Sequence, residues 1–187
     1  MEQSRKGLST RNLILCALMA ALITAGAFIR ITLTPIPFTL QFTFVLLAGL
    51  LLGPKYGPLS VAVYVVLGLI GIPVFTSGGG IGYVITPTFG YLLGFIFCAF
   101  AAGFVRNRLK KATFLRLILS AAAGVLCTYL IALPYLYFLG VFIINKPLAV
   151  GTLLTSYCAI FLPTDLLQGA AAAFLAARLL PVIRKHR

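Results

Sequence analysis

Glu2 and Asp165 are the only acids in the chain, against fifteen lysines and arginines and a single histidine. That inventory removes most enzymes. Phosphoryl transfer needs a Lys-Ser/Thr phosphate loop and an acid to hold magnesium. Glycoside hydrolysis needs paired carboxylates, and hydrolysis at a metal needs several His, Asp or Glu ligands. None of these sets can be assembled, so no enzyme activity, metal or cofactor is expected. Asp165 remains, set in the run Leu162-Pro-Thr-Asp-Leu-Leu-Gln168. A carboxylate within a membrane segment costs at least ~2.5–3.5 kcal/mol on insertion scales, so such groups face a partner or a polar cavity. Gln168, at i+3 on the same helix face, adds an amide that both donates and accepts. The plainer alternative has Asp165 pairing with Arg30 or capping its own helix start, where an acid is favourable.

Two further segments gather polar groups. Pro73-Val-Phe-Thr-Ser-Gly-Gly-Gly-Ile-Gly-Tyr83 is uncharged and dense in glycine. Backbone at Gly79 and Gly80 can approach a ligand closely and present N–H groups to it; the alternative is a flexible or re-entrant loop. No Gly-Lys-Ser/Thr follows, which argues against phosphate. Tyr83 and Tyr91 serve either as ligand walls or as interfacial belt aromatics. Pro35-Ile-Pro-Phe-Thr-Leu-Gln41 brings Thr39 and Gln41 to the start of a helix, and Arg30 adds a nearby guanidinium. Together these groups suit a small, mostly apolar molecule with one amide-like and one anionic group. Cys16, Cys98, Cys127 and Cys158 lie in apolar runs without CxxC or CxxH spacing and read as small buried hydrophobes. His186, almost at the end, carries no chemistry.

These residues must be positioned by elements that lie in lipid. The chain is 61% hydrophobic and 9% charged over 187 residues, with a mean hydropathy of +1.12. Soluble domains are nearer about 45–50% apolar and 25% charged. Six apolar stretches stand out, roughly 12–29, 38–52, 57–72, 88–105, 117–139 and 148–183, and the second and third are short for a bilayer. The last is too long for one crossing. Pro163 marks a break, because proline is tolerated in a helix's first turn, and 148–160 is either an outer helical extension or part of a kinked helix.

Placing the N-terminus in the cytoplasm leaves only Arg30 and Lys146 outside, as the positive-inside rule requires. The +13 net charge is thus a topology signal, and no nucleic-acid partner is expected. The expected fold is an all-α membrane protein, a six-transmembrane-helix bundle with both termini cytoplasmic. Residues 1–187 form a single transmembrane domain in the cell (cytoplasmic) membrane, with 1–11 a cytoplasmic N-terminal segment and 184–187 a cytoplasmic basic tail. Arg5 and Lys6 before an apolar run, with Ala25-Gly26-Ala27 beyond it, mimic a cleaved signal, but the run is longer than a signal core. Ala17, Ala21 and Ala25 form a smooth ridge that permits close helix approach, either inside the protein or against another membrane subunit.

Three runs in order, Pro35-Ile-Pro-Phe-Thr-Leu-Gln41, Phe75-Thr-Ser-Gly-Gly-Gly-Ile-Gly-Tyr83 with Pro87-Thr-Phe-Gly-Tyr-Leu-Leu-Gly-Phe95, and Leu162-Pro-Thr-Asp-Leu-Leu-Gln168, resemble the BioY family. These are the biotin-specific substrate-binding (S) components of energy-coupling factor (ECF) transporters, and the resemblance covers nearly the whole chain. It implies a six-helix protein that binds biotin near the outer face and works with a transmembrane coupling protein and two cytoplasmic ATPases. Biotin would then be a transported substrate rather than a cofactor. Its ureido group would meet Asp165, Gln168 and Gln41, its rings the tyrosines, and its carboxylate Arg30 or outer backbone N–H groups. The alanine ridge would resemble the small-residue motif that docks the coupling protein. One departure stands at Gln168, where the family pattern usually has lysine. Asp165 then takes its counter-charge from Arg30 or loses its charge through burial. The rival expectation is a solitary facilitator or proton-linked carrier built on Asp165.

Overall fold

The computed structural model describes residues 10–31, 38–109, 113–145 and 149–185. Helix α1 (Thr10–Phe28) leads through a two-stranded ribbon, β1 (Arg30–Ile31) and β2 (Phe38–Thr39), into α2 (Gln41–Leu69). A 3-10 turn at Ile81–Ile85 precedes α3 (Pro87–Arg108) and α4 (Phe114–Phe142), and a short α5 (Val150–Leu154) runs through a π-helical turn at Thr155–Ala159 to α6 (Leu162–Lys185). Five helical stretches are long and apolar enough to cross a membrane, the last of them Val150–Ile183. Leu18, Val66, Phe97, Leu126, Leu130, Phe142 and Leu167 point outward. Such a surface belongs in hydrocarbon, so the chain is a multi-pass membrane protein.

α2 does not continue straight. Gly53 takes φ +81° and ψ −173°, a backbone region open to glycine almost alone, and Pro54 follows, unable to supply an N–H to an unbroken helix. On one straight helix, Gly49 and Gly57 would stand about 12 Å apart. Here a β-carbon on Gly57 would lie 2.8 Å from the Gly49 Cα. The helix therefore doubles back, and two glycines let its arms touch. The expected stretches 38–52 and 57–72 are these two arms, joined by a tighter reversal than separate spans with a loop.

The reversal leaves helix-end carbonyls without partners in their own arm. Arg106, in the last turn of α3, donates its Nε to the Leu50 carbonyl at 2.8 Å and an Nη to that of Leu51 at 2.9 Å. The same arm begins at Leu40, which offers no side-chain cap; its partner comes from α6, as described below. Around the arms, small residues set close crossings. A β-carbon on Gly49 would strike the Ala99 carbonyl at 2.5 Å, and one on Gly94 would strike that of Thr128 at 2.8 Å.

The expected break near Pro163 is present, since α6 starts at Leu162. Before it lies an irregular helical run with a π-turn rather than a full-length helix. One end of the bundle collects Arg11, which donates to the Ile183 carbonyl, Lys55 beside Gly53, and Arg106. The other end holds β1–β2, the glycine-rich loop and the start of α6. Pro35–Pro37, Lys146, His186 and most of segment 1–11 lie outside the described residues.

Candidate functional site

At the ribbon end of the bundle a cavity of ≈ 590 Å³, counted to its open mouth, lies between β2, α2, α3 and α6. Its polar wall is Thr39, Gln41, Thr76, Tyr83, Thr88, Tyr91, Asp165 and Gln168; its apolar wall is Phe38, Phe42, Leu92, Phe95 and Phe161. Segments more than a hundred residues apart in sequence thus meet at one mouth.

Asp165 is half-buried in the first turn of α6, and its backbone N–H closes on the Phe161 carbonyl at 2.9 Å. Its Oδ2 accepts the hydroxyl of Tyr129 from α4. No ion pair reaches it among the described residues, and Oδ1 has no hydrogen-bond partner there. Tyr91 packs edge-on to Tyr129 with centroids 6.3 Å apart and donates its hydroxyl to the Tyr157 carbonyl. The two phenols hold each other and the carboxylate in place.

Gln168 stands one turn further along. Its Oε1 accepts both the Thr43 N–H at 3.1 Å and the Thr43 hydroxyl at 2.9 Å. This supplies the cap that Leu40 lacks, since Thr43 N–H is one of the free donors of the first turn of α2. Gln41 is 3% exposed, and its Nε2 is buried without a partner among the described residues. A donor so placed costs about 1–3 kcal/mol until an acceptor meets it. Among the described residues, Asp165 Oδ1 and the Gln168 N–H2, both in the cavity wall, have no hydrogen-bond partner.

Several expected site residues stand elsewhere. Gly79 and Gly80 do not line the cavity. A β-carbon on Gly79 would meet the Ile72 carbonyl at 2.4 Å, while Gly80 donates its N–H to the Gly68 carbonyl at 2.7 Å at φ +105°. These glycines fasten the loop to the end of α2. The fastened loop then delivers Thr76 and Tyr83, whose hydroxyls are 3.0 Å apart, to the cavity wall. Arg30 is exposed and not part of the wall. It pairs across the ribbon with Thr39, on the same face, and so stands at the rim.

Tyr91, expected from the sequence, stands in the wall, whereas its neighbours Thr88, Leu92 and Phe95 escaped the sequence reading. The four follow i, i+3, i+4, i+7 spacing and form one face of α3, a pattern that was available from sequence. Phe38 meets Phe161 with centroids 4.6 Å apart, closing one side of the mouth. Thr43 and Tyr129 gave no signal, being ordinary residues inside apolar runs. Ala17, Ala21 and Ala25 are all exposed on α1, whereas Ala20, Ile23 and Ala27 pack inward. The ridge is therefore not used for packing within the chain. All four cysteines are free, Cys16 and Cys98 buried and the others half-buried.

A model of the BioY family matches residues 1–185. The chain belongs to the BioY family. Among curated BioY proteins it is 43% identical over 180 residues to a probable biotin transporter of Lysinibacillus sphaericus, covering 96% of this chain and 91% of that one. It is 41% identical to the biotin transporter of Thermotoga maritima, covering 90% and 95% of the two chains. Among solved structures, the S-component for biotin from an ECF-type ABC transporter superposes with a TM-score of 0.75 at 33% identity, over 96% of this chain and 94% of that chain. The likeness thus extends along almost the full sequence.

Proposed function

We infer that this protein is the biotin-binding subunit of a vitamin importer. It captures biotin at the outer face and hands it inward with an ATP-driven coupling module. It is a transporter component and not an enzyme, as its family is. The observation that carries the reading is the polar group in the cavity wall: Asp165, with an oxygen that has no hydrogen-bond partner among the described residues, together with Gln41 and Gln168. A cyclic urea has N–H donors for the carboxylate and a carbonyl with two lone pairs for the amides. Phe38, Tyr83, Tyr91, Phe95 and Phe161 supply an apolar slot for the ring and chain. Thr39 and the rim residue Arg30 stand where a carboxylate tail emerges. Gly79 and Gly80 serve by holding the loop that carries Tyr83.

The arms of α2 each count as a crossing in this reading, which makes six, with both termini cytoplasmic. The cations at the Gly53 end support that orientation through the positive-inside rule, and the cavity then opens outward from the cytoplasmic membrane. Residues 1–187 act as one transmembrane domain. The exposed stripe Ala17, Ala21 and Ala25 is the face offered to a transmembrane coupling protein, with two ATPases behind it; the remaining girdle faces membrane lipid.

The test is uptake of labelled biotin into liposomes that contain this protein alone or with the coupling protein and ATPases. ATP-dependent accumulation only with the full set is expected. Accumulation by the single chain, driven by a pH gradient, would instead establish a solitary proton-linked carrier.

A further inference from the structure

We propose that Thr43 is a positioning residue that sets which end of the Gln168 amide faces the cavity, and so makes the site select a ligand with a hydrogen-bond acceptor there. The inference rests on the biotin-binding reading and names the residue that gives that site its selectivity.

An amide side chain offers an oxygen and an N–H2 group of nearly equal size, and only its partners decide which is which. At Gln168 the partner is unambiguous. The Thr43 backbone N–H can only donate, so the Gln168 atom 3.1 Å away is the acceptor oxygen. The Thr43 hydroxyl, 2.9 Å from that same oxygen, adds a second donor, and Thr43 is 7% exposed, so no water replaces either bond. Turning the amide over would set N–H2 against a buried N–H and leave both unsatisfied. The oxygen is thus consumed by the start of α2, and only N–H2 is left for the cavity, where no described residue accepts from it.

The Gln168 N–H2 lies in the same cavity wall as Asp165. A ligand atom beside that N–H2 must accept, while an atom beside Asp165 Oδ1 must donate. A urea carbonyl fits the first place. A protonated imino nitrogen in the same position, as in 2-iminobiotin at neutral pH, does not, because it sets a donor against a donor.

The experiment compares binding of biotin and of 2-iminobiotin to the purified full chain, wild type and variants, with thermal unfolding followed in parallel. Gln168→Glu keeps an oxygen for Thr43 but exchanges the donor for a second acceptor. It is expected to retain folding, to lose at least about tenfold in biotin affinity, and to shift preference toward the imino analogue. Thr43→Val removes one of the two locking donors and should lower the biotin-to-iminobiotin ratio about fivefold, with Thr43→Ser restoring it. A Gln168→Glu protein with the wild-type preference, or a Thr43→Val protein with an unchanged ratio, overturns the assignment while leaving biotin binding intact. Failure of the wild type to bind biotin at all overturns the functional reading and this assignment with it.

Discussion

At the residue scale, the site depends on one carboxylate whose surroundings are otherwise neutral. Tyr129 donates to Asp165 and leaves the other carboxylate oxygen for a guest. Tyr129→Phe should therefore weaken biotin binding by about tenfold without removing it, because a hydrogen bond to a charged group contributes about 1.5–3 kcal/mol and part of it is regained by relaxation. Titration calorimetry on the purified variant checks this; an unchanged affinity means that the phenol does not orient the acid. Arg30→Gln belongs to the same scale. At an exposed rim a charge contributes about 0.2–1 kcal/mol, so its loss should cost no more than about fivefold and should matter less in high salt.

Asp165 and Gln168 were legible because polar side chains in an apolar run are expensive and stand out. Tyr129 and Thr43 were not, since their importance comes from which helix lies opposite, and no single run of sequence records that. The same holds for Gly79 and Gly80. Their spacing suggested direct ligand contact, whereas the cramped approach of Gly79 to Ile72 and Gly68 and the Gly80 N–H bond to the Gly68 carbonyl fasten a loop.

At the scale of elements, the hairpin inside α2 governs where the cavity wall stands. Its first arm is held at one end by Gln168 and at the other by Arg106, and it turns at a glycine whose backbone angles other residues avoid. Gly53→Ala is expected to destabilise the protein by about 1–3 kcal/mol, lowering its unfolding temperature in detergent while folded molecules still bind biotin. A melting curve that does not move would show that the turn relaxes freely. Hydropathy resolved both arms as short apolar stretches, but it contained no measure of how sharply they reverse. The closeness of Gly49 and Gly57 arises from packing of two small surfaces, a pairing visible only once the turn at Gly53 is known. The segment before Pro163 shows the converse: proline placed the start of α6 correctly, while the π-turn at Thr155–Ala159 had no counterpart in composition.

At the scale of the molecule, the polarity of charge and the outward alanine stripe bear on assembly. If the cation-rich end is cytoplasmic, Lys55→Cys should react with an impermeant maleimide only from the inner side, and the exposed Ile81→Cys only from the outer side. Reversed labelling would invert the topology and place the cavity mouth inside. The stripe makes a separate prediction. Ala21→Leu raises a branched side chain where a flat face is needed for close approach, and should abolish co-purification with the coupling protein while biotin binding by the isolated chain persists. If the complex survives, another face docks.

The proposed function has a urea held by Asp165 and Gln168, so the decisive measurement is equilibrium binding of biotin to the purified wild type and to Asp165→Asn. The account predicts one biotin per chain for the wild type and an affinity at least about tenfold lower for the variant, with unfolding temperatures alike in the absence of ligand. Equal affinities for the two proteins would contradict it.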